Sequence, residues 1–510
     1  MSGIKVQKAL ISVFNKEGLD AVVKCLERHG IEIVSTGGTQ SYISALGVEC
    51  TPVEDITDYP SIFGGRVKTL HPAIFGGILS RRDNAEDLKQ AEMYDIHPID
   101  LVIVDLYPFS ETVSNGGTRE EIIEKIDIGG ISLIRAAAKN YKDVLIIPCK
   151  KFYGKLVEWL DGQEGATEKS QRLEMALEAF RVTAQYDTAI RDYFAGASNS
   201  SDHELSLHFD KGEELRYGEN PHQHATFYGD LSERFTYLQG KQLSYNNLLD
   251  VDAAVHLTEE FEEPACAIMK HNTPCGLAVR STAAEAYRAA FECDTVSAFG
   301  GIIVLNREVD LETAKEVDSI FYEVLIAPSY TPEALDLLSA KSKRIILIDK
   351  IGKDTSRISY RTVLGGMLAQ ERDTRAETSE DCKIVTNQSP TESEIEDMLF
   401  GQKAVKYCKS NAIVLAKGQQ ILGAGYGQTS RVDALKQAIE KAKTMGFDLH
   451  GAVMASDAFF PFADCVEIAH DAGITAVIQP GGSIKDQLSI DYCNEHGLSM
   501  VFTGIRHFRH

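Results

Sequence analysis

The sequence lacks the cysteine spacing of a metal or disulfide scaffold. Its ten cysteines are scattered from Cys25 to Cys493, and no two of them form a C-x-x-C pair. A zinc ribbon needs such pairs, and disulfide frameworks belong to small secreted chains rather than to one of 510 residues. We therefore expect most of these cysteines to be small buried hydrophobic side chains.

A membrane span, a leader peptide and a basic charge balance are also missing. No apolar run approaches the roughly 18 residues that cross a membrane. The segment MSGIKVQKAL lacks the basic-then-apolar pattern of a signal peptide, so we expect a cytoplasmic location. The formal net charge of -23 repels nucleic acid and anionic membranes, which we exclude as general partners. An anionic small molecule would need a local cluster of Lys and Arg.

The chain is long enough for about three compact domains, and its apolar segments predict an α/β fold. ALISVF, IEIV, LVIVDLY and VLIIPC are continuous rather than alternating, which is typical of parallel strands covered on both faces. A helical stretch at 167–194 is followed by small polar residues at 195–204, which predict a linker. We expect two domains, 1–199 and 200–510.

The second domain again mixes strand-like and helical segments. ACAIMK, GGIIVL, AIVLA and GAVMAS are continuous apolar runs, and the region 282–293 is helical in pattern. The polar stretch at 386–394 is a possible division into two similar lobes, although the sequence itself shows no strong repeat. Ligands bind such sheets in loops at the carboxyl ends of the strands.

Three loops of the first domain combine glycine with hydroxyl or basic groups before a helix. Free backbone N–H groups at a helix N-terminus bind phosphate. Any one of these loops is also explained by an ordinary glycine turn, or by basic residues on a solvated helix face. The occurrence of three such loops favours an anion site. The loops are STGGT at 35–39, the segment carrying Ser12 and Lys16, and IDIGG at 126–130, which precedes Arg135 and Lys139.

The segment GGRVKTLHP at 64–72 adds Arg66, Lys68 and Thr69. It is not a P-loop, because Val67 stands where the glycine before lysine belongs. Tyr107 and Asp127 fall at predicted strand or loop ends, where they are able to transfer protons beside the anion site.

The segment KHNTPCG at 270–276 places Lys, His and Cys together. A thiolate or metal site and a Lys-His proton-transfer pair are the competing interpretations. A zinc deaminase needs H-x-E and P-C-x-x-C, but Thr273 and Ala278 stand where the Glu and the second Cys belong. His203 and His208 are five apart, whereas a zincin helix needs four. We expect Pro274 and Gly276 to shape a loop after the strand.

Other polar clusters of the second domain suit an anionic ligand with a flat ring. Arginine accepts phosphate or carboxylate in a bidentate way, and aromatic side chains offer flat apolar area, although a single Phe is more often core. The candidates are Arg216, Lys270, Arg431 and Arg506 for the anion, and Phe459, Phe460 and Phe462 around Pro461 for the ring.

Taken together, these motifs closely resemble one family over nearly the whole chain. It is the bifunctional enzyme of the last two steps of purine nucleotide synthesis, phosphoribosyl-aminoimidazole-carboxamide (AICAR) formyltransferase fused to inosine-monophosphate (IMP) cyclohydrolase. STGGT, GRVKTLHP, LYPF, IDIGG and RAAAKN resemble the cyclohydrolase half; RYGENPHQ, LSYNNLLD, KHNTPCG, SDAFFPF and FTGIRHFRH resemble the formyltransferase half. The resemblance implies a methylglyoxal-synthase-like domain, then two cytidine-deaminase-like lobes without catalytic metal.

The resemblance also implies roles in the formyltransferase half. His271 takes a proton from the 5-amino group of AICAR as it attacks the formyl carbon of 10-formyltetrahydrofolate, the cosubstrate. Lys270 and Asn411 stabilise the developing oxyanion. A homodimer is expected through this half. Nucleotide or folate binding is implied for Arg216, Tyr217, Asn247, Arg431, Phe459, Pro461, Phe462, Arg506 and His510.

In the cyclohydrolase half the formylated product (FAICAR) closes to IMP with loss of water. The resemblance places Lys68, Tyr107, Asp127 and Lys139 in its catalytic neighbourhood. Nucleotide binding is implied for Ser12, Lys16, Ser35, Thr36, Gly38, Thr39, Arg66, Thr69 and Gly129.

Four positions depart from the family pattern. Asp105 replaces Asn before LYPF and adds negative charge near the anion site. Phe75 replaces a His, Ala463 replaces a frequent Arg, and Tyr426 interrupts a glycine-rich loop. We expect altered affinity rather than lost activity, because none of the four belongs to the Lys-His pair. The competing interpretations of the chain are a zinc-dependent deaminase-like hydrolase and a nucleotide-binding protein without turnover.

Overall fold

A computed structural model describes residues 3–198, 205–209, 211–352 and 357–510. It divides into two compact units, Met1–His208 and Phe209–His510, called unit 1 and unit 2 below. Residues 199–204 of the predicted linker lie outside the described ranges, and residues 195–198 belong to a long helix. No helix in the described part of the chain combines the length and apolarity that a membrane crossing needs.

Unit 1 contains short and long strands separated by helices. Its strands are β1 (Ile4–Lys5), β2 (Lys8–Val13), β3 (Glu32–Ser35), β4 (Thr51–Pro52), β5 (Leu101–Asp105), β6 (Leu145–Ile147) and β7 (Ala166–Thr167). Its helices are α1 (Leu19–Arg28), α2 (Gly37–Ala45), α3 (Val53–Thr57), α4 (Pro72–Leu79), α5 (Ala85–Met93), α6 (Phe109–Ser114), α7 (Arg119–Ile123), α8 (Gly129–Lys139), α9 (Tyr153–Gly162) and α10 (Lys169–Ser198).

The central sheet of unit 1 is parallel, in the order β4-β3-β2-β5-β6. Its strands are buried along most of their length, with Leu10, Val34 and Val102 fully inside, because helices cover both faces. The α/β prediction for this half is confirmed. The chain runs from β2 to one side and from β5 to the other, so a crevice opens at their carboxyl ends.

Unit 2 contains more strands than unit 1. They are β8 (Gly212–Leu215), β9 (Ala225–Tyr228), β10 (Phe235–Gln239), β11 (Ala265–Lys270), β12 (Thr273–Val279), β13 (Ile302–Leu305), β14 (Val324–Ala327), β15 (Ile345–Asp349), β16 (Ile358–Val363), β17 (Gly366–Glu371), β18 (Lys383–Ile384), β19 (Ile413–Ala416), β20 (Ile421–Gly425), β21 (Val453–Ser456), β22 (Ala476–Gln479) and β23 (Ser499–Phe502).

The helices of unit 2 follow the same alternation. They are α11 (Leu231–Arg234), α12 (Tyr245–Thr258), α13 (Ala283–Glu292), α14 (Leu311–Val317), α15 (Pro332–Ser339), α16 (Glu392–Val405), α17 (Arg431–Thr444), α18 (Asp464–Asp471) and α19 (Asp486–His496).

Unit 2 consists of two lobes with one strand plan. The first lobe has the sheet order β10-β15-β14-β13-β11-β12, and the second has β18-β23-β22-β21-β19-β20. Corresponding neighbours are parallel or antiparallel in the same way in both sheets. The two similar lobes are confirmed, whereas their deaminase-like character stays a prediction. The second sheet begins at Lys383, a few residues before the division predicted near 386–394.

Strands β12 and β20 approach the helices behind them closely. A Cβ atom on Gly276 would lie 2.1 Å from the carbonyl oxygen of Ala290 in α13. A Cβ atom on Gly423 would lie 2.1 Å from that of Ala438 in α17. Both positions therefore require glycine. The prediction that Pro274 and Gly276 shape a loop was wrong, because both lie inside β12, where the register shifts near Pro274.

The prediction for the cysteines is confirmed. Six of the ten are buried, the other four are half-buried, and all are free. Cys275 donates its thiol hydrogen to the carbonyl oxygen of Ile268 over 3.3 Å, and burial raises its pKa to about 12. A reactive thiolate needs the opposite shift, so the structure disfavours the nucleophile interpretation of Cys275.

The chain end is held by a buried ion-pair cluster that sequence analysis did not identify. His507 is almost fully buried, and its Nδ1 and Nε2 each lie 2.6 Å from a carboxylate oxygen, of Asp373 and of Glu377 respectively. Burial alone would lower the pKa of His507, but these two hydrogen bonds outweigh it and raise the pKa to about 9. The imidazole is therefore charged at neutral pH.

This cluster predicts a pH dependence of stability. Because the folded-state pKa of His507 is above its unfolded value, its contribution is complete below about pH 6.5 and is lost as pH rises through about 9. We expect the thermal midpoint of the wild type to decrease as the pH is raised from about 6.5 to about 9. The decrease should be smaller in His507→Gln. The exposed His450 supplies the control His450→Gln, which should keep the wild-type slope. Equal slopes in wild type and His507→Gln would contradict the assignment.

Candidate active sites

A cavity of about 650 Å³ opens at the carboxyl ends of β2 and β5 in unit 1. The loop after β3, the segment 64–70 and the start of α8 complete its wall. Most predicted cyclohydrolase residues therefore meet in one place. Those that line it are Ser12, Lys16, Thr36, Gly38, Thr39, Arg66, Lys68, Thr69, Tyr107, Asp127 and Gly129.

Two of the predicted residues are not on this cavity. Ser35 is fully buried, and its hydroxyl donates to the carbonyl oxygen of Ile11 over 2.7 Å, which ties β3 to β2. Lys139 lines a separate, largely apolar cleft of about 690 Å³ together with Arg135 and Phe75. The structure therefore does not bring Lys139 to Lys68, Tyr107 and Asp127.

Cationic groups are concentrated in the cavity. The ammonium group of Lys16 donates to the carbonyl oxygens of Val13 and Phe14, each over 2.8 Å. Burial lowers its pKa, and nearby Lys68 adds to this effect while Asp105 opposes it. Gly65 has a φ of 95°, and a Cβ there would lie 2.6 Å from Cε of Lys68, so glycine leaves the room that the lysine side chain occupies.

Asp127 and Tyr107 are neighbours in the lining of the same cavity. Asp127 accepts a hydrogen bond from the backbone N–H of Gly130 over 2.7 Å at the start of α8. Burial raises the pKa of Asp127, and burial and the neighbouring Asp127 raise the pKa of Tyr107. Raised pKa values favour the protonated forms, as in a site that transfers protons.

The wall also includes Phe14, Glu124 and Lys125, which no sequence motif indicated. The rings of Phe14 and Tyr107 meet edge to face at 5.4 Å, and Lys125 lies 5.0 Å from the centre of the Phe14 ring. Glu124 pairs with Arg66, which leaves the guanidinium partly neutralised. The contacts of Glu124 and Lys125 depend on the path of the loop after α7, which no motif indicates.

The Lys-His pair of unit 2 lies on a tight hairpin. His271 and Asn272 form the two-residue turn between β11 and β12, and both have a left-handed backbone, with φ values of 51° and 60°. Such turns require positive φ at both positions and favour Asn and Gly. Both side chains are exposed at the tip. The ammonium group of Lys270 donates to the carbonyl oxygen of Phe299 over 2.7 Å.

The second lobe contains the same turn without the histidine. Gly418 and Gln419 connect β19 to β20 with φ values of 58° and 53°. Lys417 precedes them and donates to the carbonyl oxygen of His450 over 2.6 Å, as Lys270 does to Phe299. His271 therefore stands where the other lobe has a glycine.

Three other predicted residues use their polar groups within the protein. Asn411 donates to the carbonyl oxygens of Gln428 and Thr429 over 3.1 and 3.2 Å. Arg431 is buried and donates to Asp457 over 2.6 Å and to Asn411 over 2.9 Å. Asn247 completes a capping box with Ser244 at the start of α12. Their contacts favour positioning roles over direct ligand binding.

The remaining predicted residues of unit 2 keep exposed faces. Arg216 stacks on Tyr217 at 5.1 Å, and Arg506 on Phe508 at 4.4 Å. The carbonyl oxygen of His510 accepts from Arg361 over 2.9 Å. Phe459 and Phe462 flank Pro461 and are partly exposed, whereas Phe460 is fully buried and belongs to the core.

Fold and sites together indicate an α/β enzyme in which a unit with a cation-lined cavity is followed by a unit of two similar lobes. Two family models match the chain: an MGS-like domain at residues 18–132 and the AICARFT/IMPCHase bienzyme at 137–441. The chain belongs to the AICARFT/IMPCHase bienzyme family. It is a bifunctional enzyme of purine biosynthesis with AICAR formyltransferase and IMP cyclohydrolase activities.

Known relatives match along their whole length. The bifunctional purine biosynthesis protein PurH of Bacteroides thetaiotaomicron is 56% identical over 506 residues, which cover 99% of both chains. PurH of Persephonella marina is 48% identical and covers 99% of this chain and 100% of its own. A solved structure described as the crystal structure of ForH covers 38% of this chain and 99% of its own, at 32% identity and a TM-score of 0.33.

Asp105 supplies a prediction about nucleotide affinity. Its carboxylate accepts from the backbone N–H of Asn15 over 2.9 Å, and burial raises its pKa. In Asp105→Asn the amide oxygen retains this bond while the negative charge beside Lys16 disappears. We expect binding of IMP, measured by calorimetry, to tighten by about 2- to 5-fold at low salt. The exposed Asp83 supplies the control Asp83→Asn, which should leave Kd unchanged. Weaker binding in Asp105→Asn would show that the carboxylate itself is required.

Proposed function

We propose that His271 is the proton acceptor of formyl transfer. The observation that supports it is the exposed imidazole in a left-handed turn, at a position where the other lobe has Gly418. The 5-amino nitrogen of AICAR bonds to the formyl carbon of 10-formyltetrahydrofolate while His271 takes the amine proton. The bond from the formyl carbon to the folate nitrogen then breaks, and that nitrogen receives the proton as tetrahydrofolate leaves.

Lys270 supplies positive charge beside this reaction. Its ammonium group retains two hydrogens after the bond to Phe299, and these are available to the developing oxyanion. Asn411 positions the loop after β20 by donating to the carbonyl oxygens of Gln428 and Thr429, and its side-chain oxygen accepts from Arg431. Direct contacts to nucleotide or folate are made by Arg216, Tyr217, Phe459, Pro461, Phe462, Arg506 and His510.

Ring closure takes place in the cavity of unit 1. Lys16 and Arg66 bind the phosphate together with the hydroxyl and backbone groups of the loops after β2 and β3. Asp127 and Tyr107 transfer protons as the carboxamide nitrogen attacks the formyl carbon and water leaves. Lys68 neutralises the negative charge that develops on the formyl oxygen.

Replacing His271 with glycine tests the assignment. His271→Gly copies the turn of the second lobe, so the hairpin and the thermal midpoint should be retained. The kcat of formyl transfer should fall about 10²- to 10⁴-fold, while cyclisation of supplied FAICAR persists. The matched variant Asp127→Asn in unit 1 should show the reverse pattern. Retained formyl transfer in a folded His271→Gly would refute the role of His271.

A homodimer formed through unit 2 is the assembly that we propose. Strands β16 and β17 form a separate two-stranded hairpin on which Tyr360, Leu364 and Leu368 are 43%, 103% and 58% exposed. A two-stranded hairpin is only marginally stable in water without a covering partner. Sedimentation velocity at micromolar concentration should give twice the chain mass of 56.1 kDa, and Leu364→Asp with Leu368→Asp should shift it to the monomer. A monomeric wild type would exclude this assembly.

A further inference from the structure

The turn that carries His271 needs an external support. Two consecutive residues with side chains adopt left-handed backbone there, and β-carbon sterics disfavour that conformation. The backbone N–H groups of a two-residue turn point away from the ladder at the tip and need acceptors. Such turns favour Asn, Asp or Gly at the first position and Gly at the second, and His271-Asn272 has neither preferred residue in its place.

Asp250 supplies this support from helix α12. Its Oδ1 accepts a hydrogen bond from the backbone N–H of Asn272, and the backbone N–H of His271 also acts on the carboxylate. Burial raises the pKa of Asp250, and the N–H groups and the charge of His271 oppose this rise. On the other side, Arg509 donates to the side-chain oxygen of Asn272 over 3.2 Å. The turn is therefore held through its backbone and through Asn272.

The second lobe repeats this support at the corresponding place. Asp397 is the sixth residue of α16, as Asp250 is the sixth of α12. Its two carboxylate oxygens accept from the backbone N–H groups of Gly418 and Gln419, over 2.8 and 2.6 Å. Both lobes therefore have a carboxylate that holds the backbone of the turn, and the second lobe has it although its turn contains no histidine.

We propose that Asp250 is the positioning residue for His271 in formyl transfer. This inference rests on the proposed role of His271 as proton acceptor. Asp250 fixes the two left-handed residues so that the imidazole projects from the tip in one direction. Its negative charge also attracts the imidazolium that forms when His271 accepts the amine proton. Asp250 acts through His271 and not on the substrates.

The matched pair Asp250→Ala and Asp397→Ala tests this role. Each variant removes one carboxylate from under one turn, so the structural loss is comparable and their thermal midpoints should fall by similar amounts. In Asp250→Ala the kcat of formyl transfer should fall about 10- to 100-fold with both KM values within twofold of wild type. In Asp397→Ala the kcat should stay within twofold. Cyclisation should persist in both.

A double variant shows whether Asp250 works through His271. If it does, adding Asp250→Ala to His271→Gly should cause no further loss of formyl transfer, because the positioned group is already absent. Asp250→Asn keeps one acceptor oxygen without the charge and should lose about 3- to 10-fold in kcat. If Asp250→Ala does not fold, Asp250→Asn alone tests the proposal.

Several outcomes would overturn the proposal. A kcat within twofold of wild type in folded Asp250→Ala or in Asp250→Asn would do so, as would an equal loss in Asp397→Ala. An additive loss in the double variant would assign Asp250 a role of its own. If His271→Gly itself retains formyl transfer, the proposed function fails instead, and the two failures are thereby distinguished.

Discussion

Close packing of a strand backbone against a helix sets the geometry of unit 2. Gly276 and Gly423 leave no space for a side chain between their strands and the helices α13 and α17. The close approach of β12 and β20 to these helices also sets the position of β11 and β19, because β11 pairs with β12 and β19 pairs with β20. Close packing therefore sets where the two hairpins lie in their lobes, and the carboxylates of Asp250 and Asp397 then hold the backbone of the turns.

Unit 1 has a different feature, which is a local concentration of positive charge on a chain with a net charge of -23. Lys16, Arg66 and Lys68 lie within one cavity, where neighbouring walls exclude part of the solvent. At physiological salt the field of distant carboxylates is screened within about 8 Å, so local charges dominate the cavity. Asp105 and Glu124 line the same cavity and reduce its positive potential. Single substitutions at these positions are therefore expected to change the affinity of the cavity for an anion.

Sequence patterns predicted the strands and the loops that line the cavity, because these depend on residues close together in the chain. They did not predict contacts between residues that are distant in the sequence. Continuous apolar runs predicted the parallel strands of unit 1, and glycine loops before helices predicted the residues of the cavity. Lys139 shares a helix with the cavity loop, but the helix turns it to another cleft. Ligand binding by Arg431, expected from its residue type, and by Asn247, expected from the family resemblance, stays a prediction, and the structure adds contacts to Asp457 and Ser244 that no motif indicates. Asp250 and Asp397 were missed since only the folded lobes place them under the turns.

Most enzymes require one structure to provide both a catalytic geometry and stability, whereas here the same turn occurs in two lobes. Catalytic side chains commonly occupy strained positions, so that activity is gained at the cost of stability. Here the left-handed turn exists twice, and the version with Gly418 is less strained because only Gln419 carries a side chain at positive φ. That lobe keeps the architecture while its counterpart accommodates a side chain that the fold does not need. The turn of the second lobe is thus an internal reference for the turn that carries His271, and the carboxylate that supports one turn has a counterpart under the other.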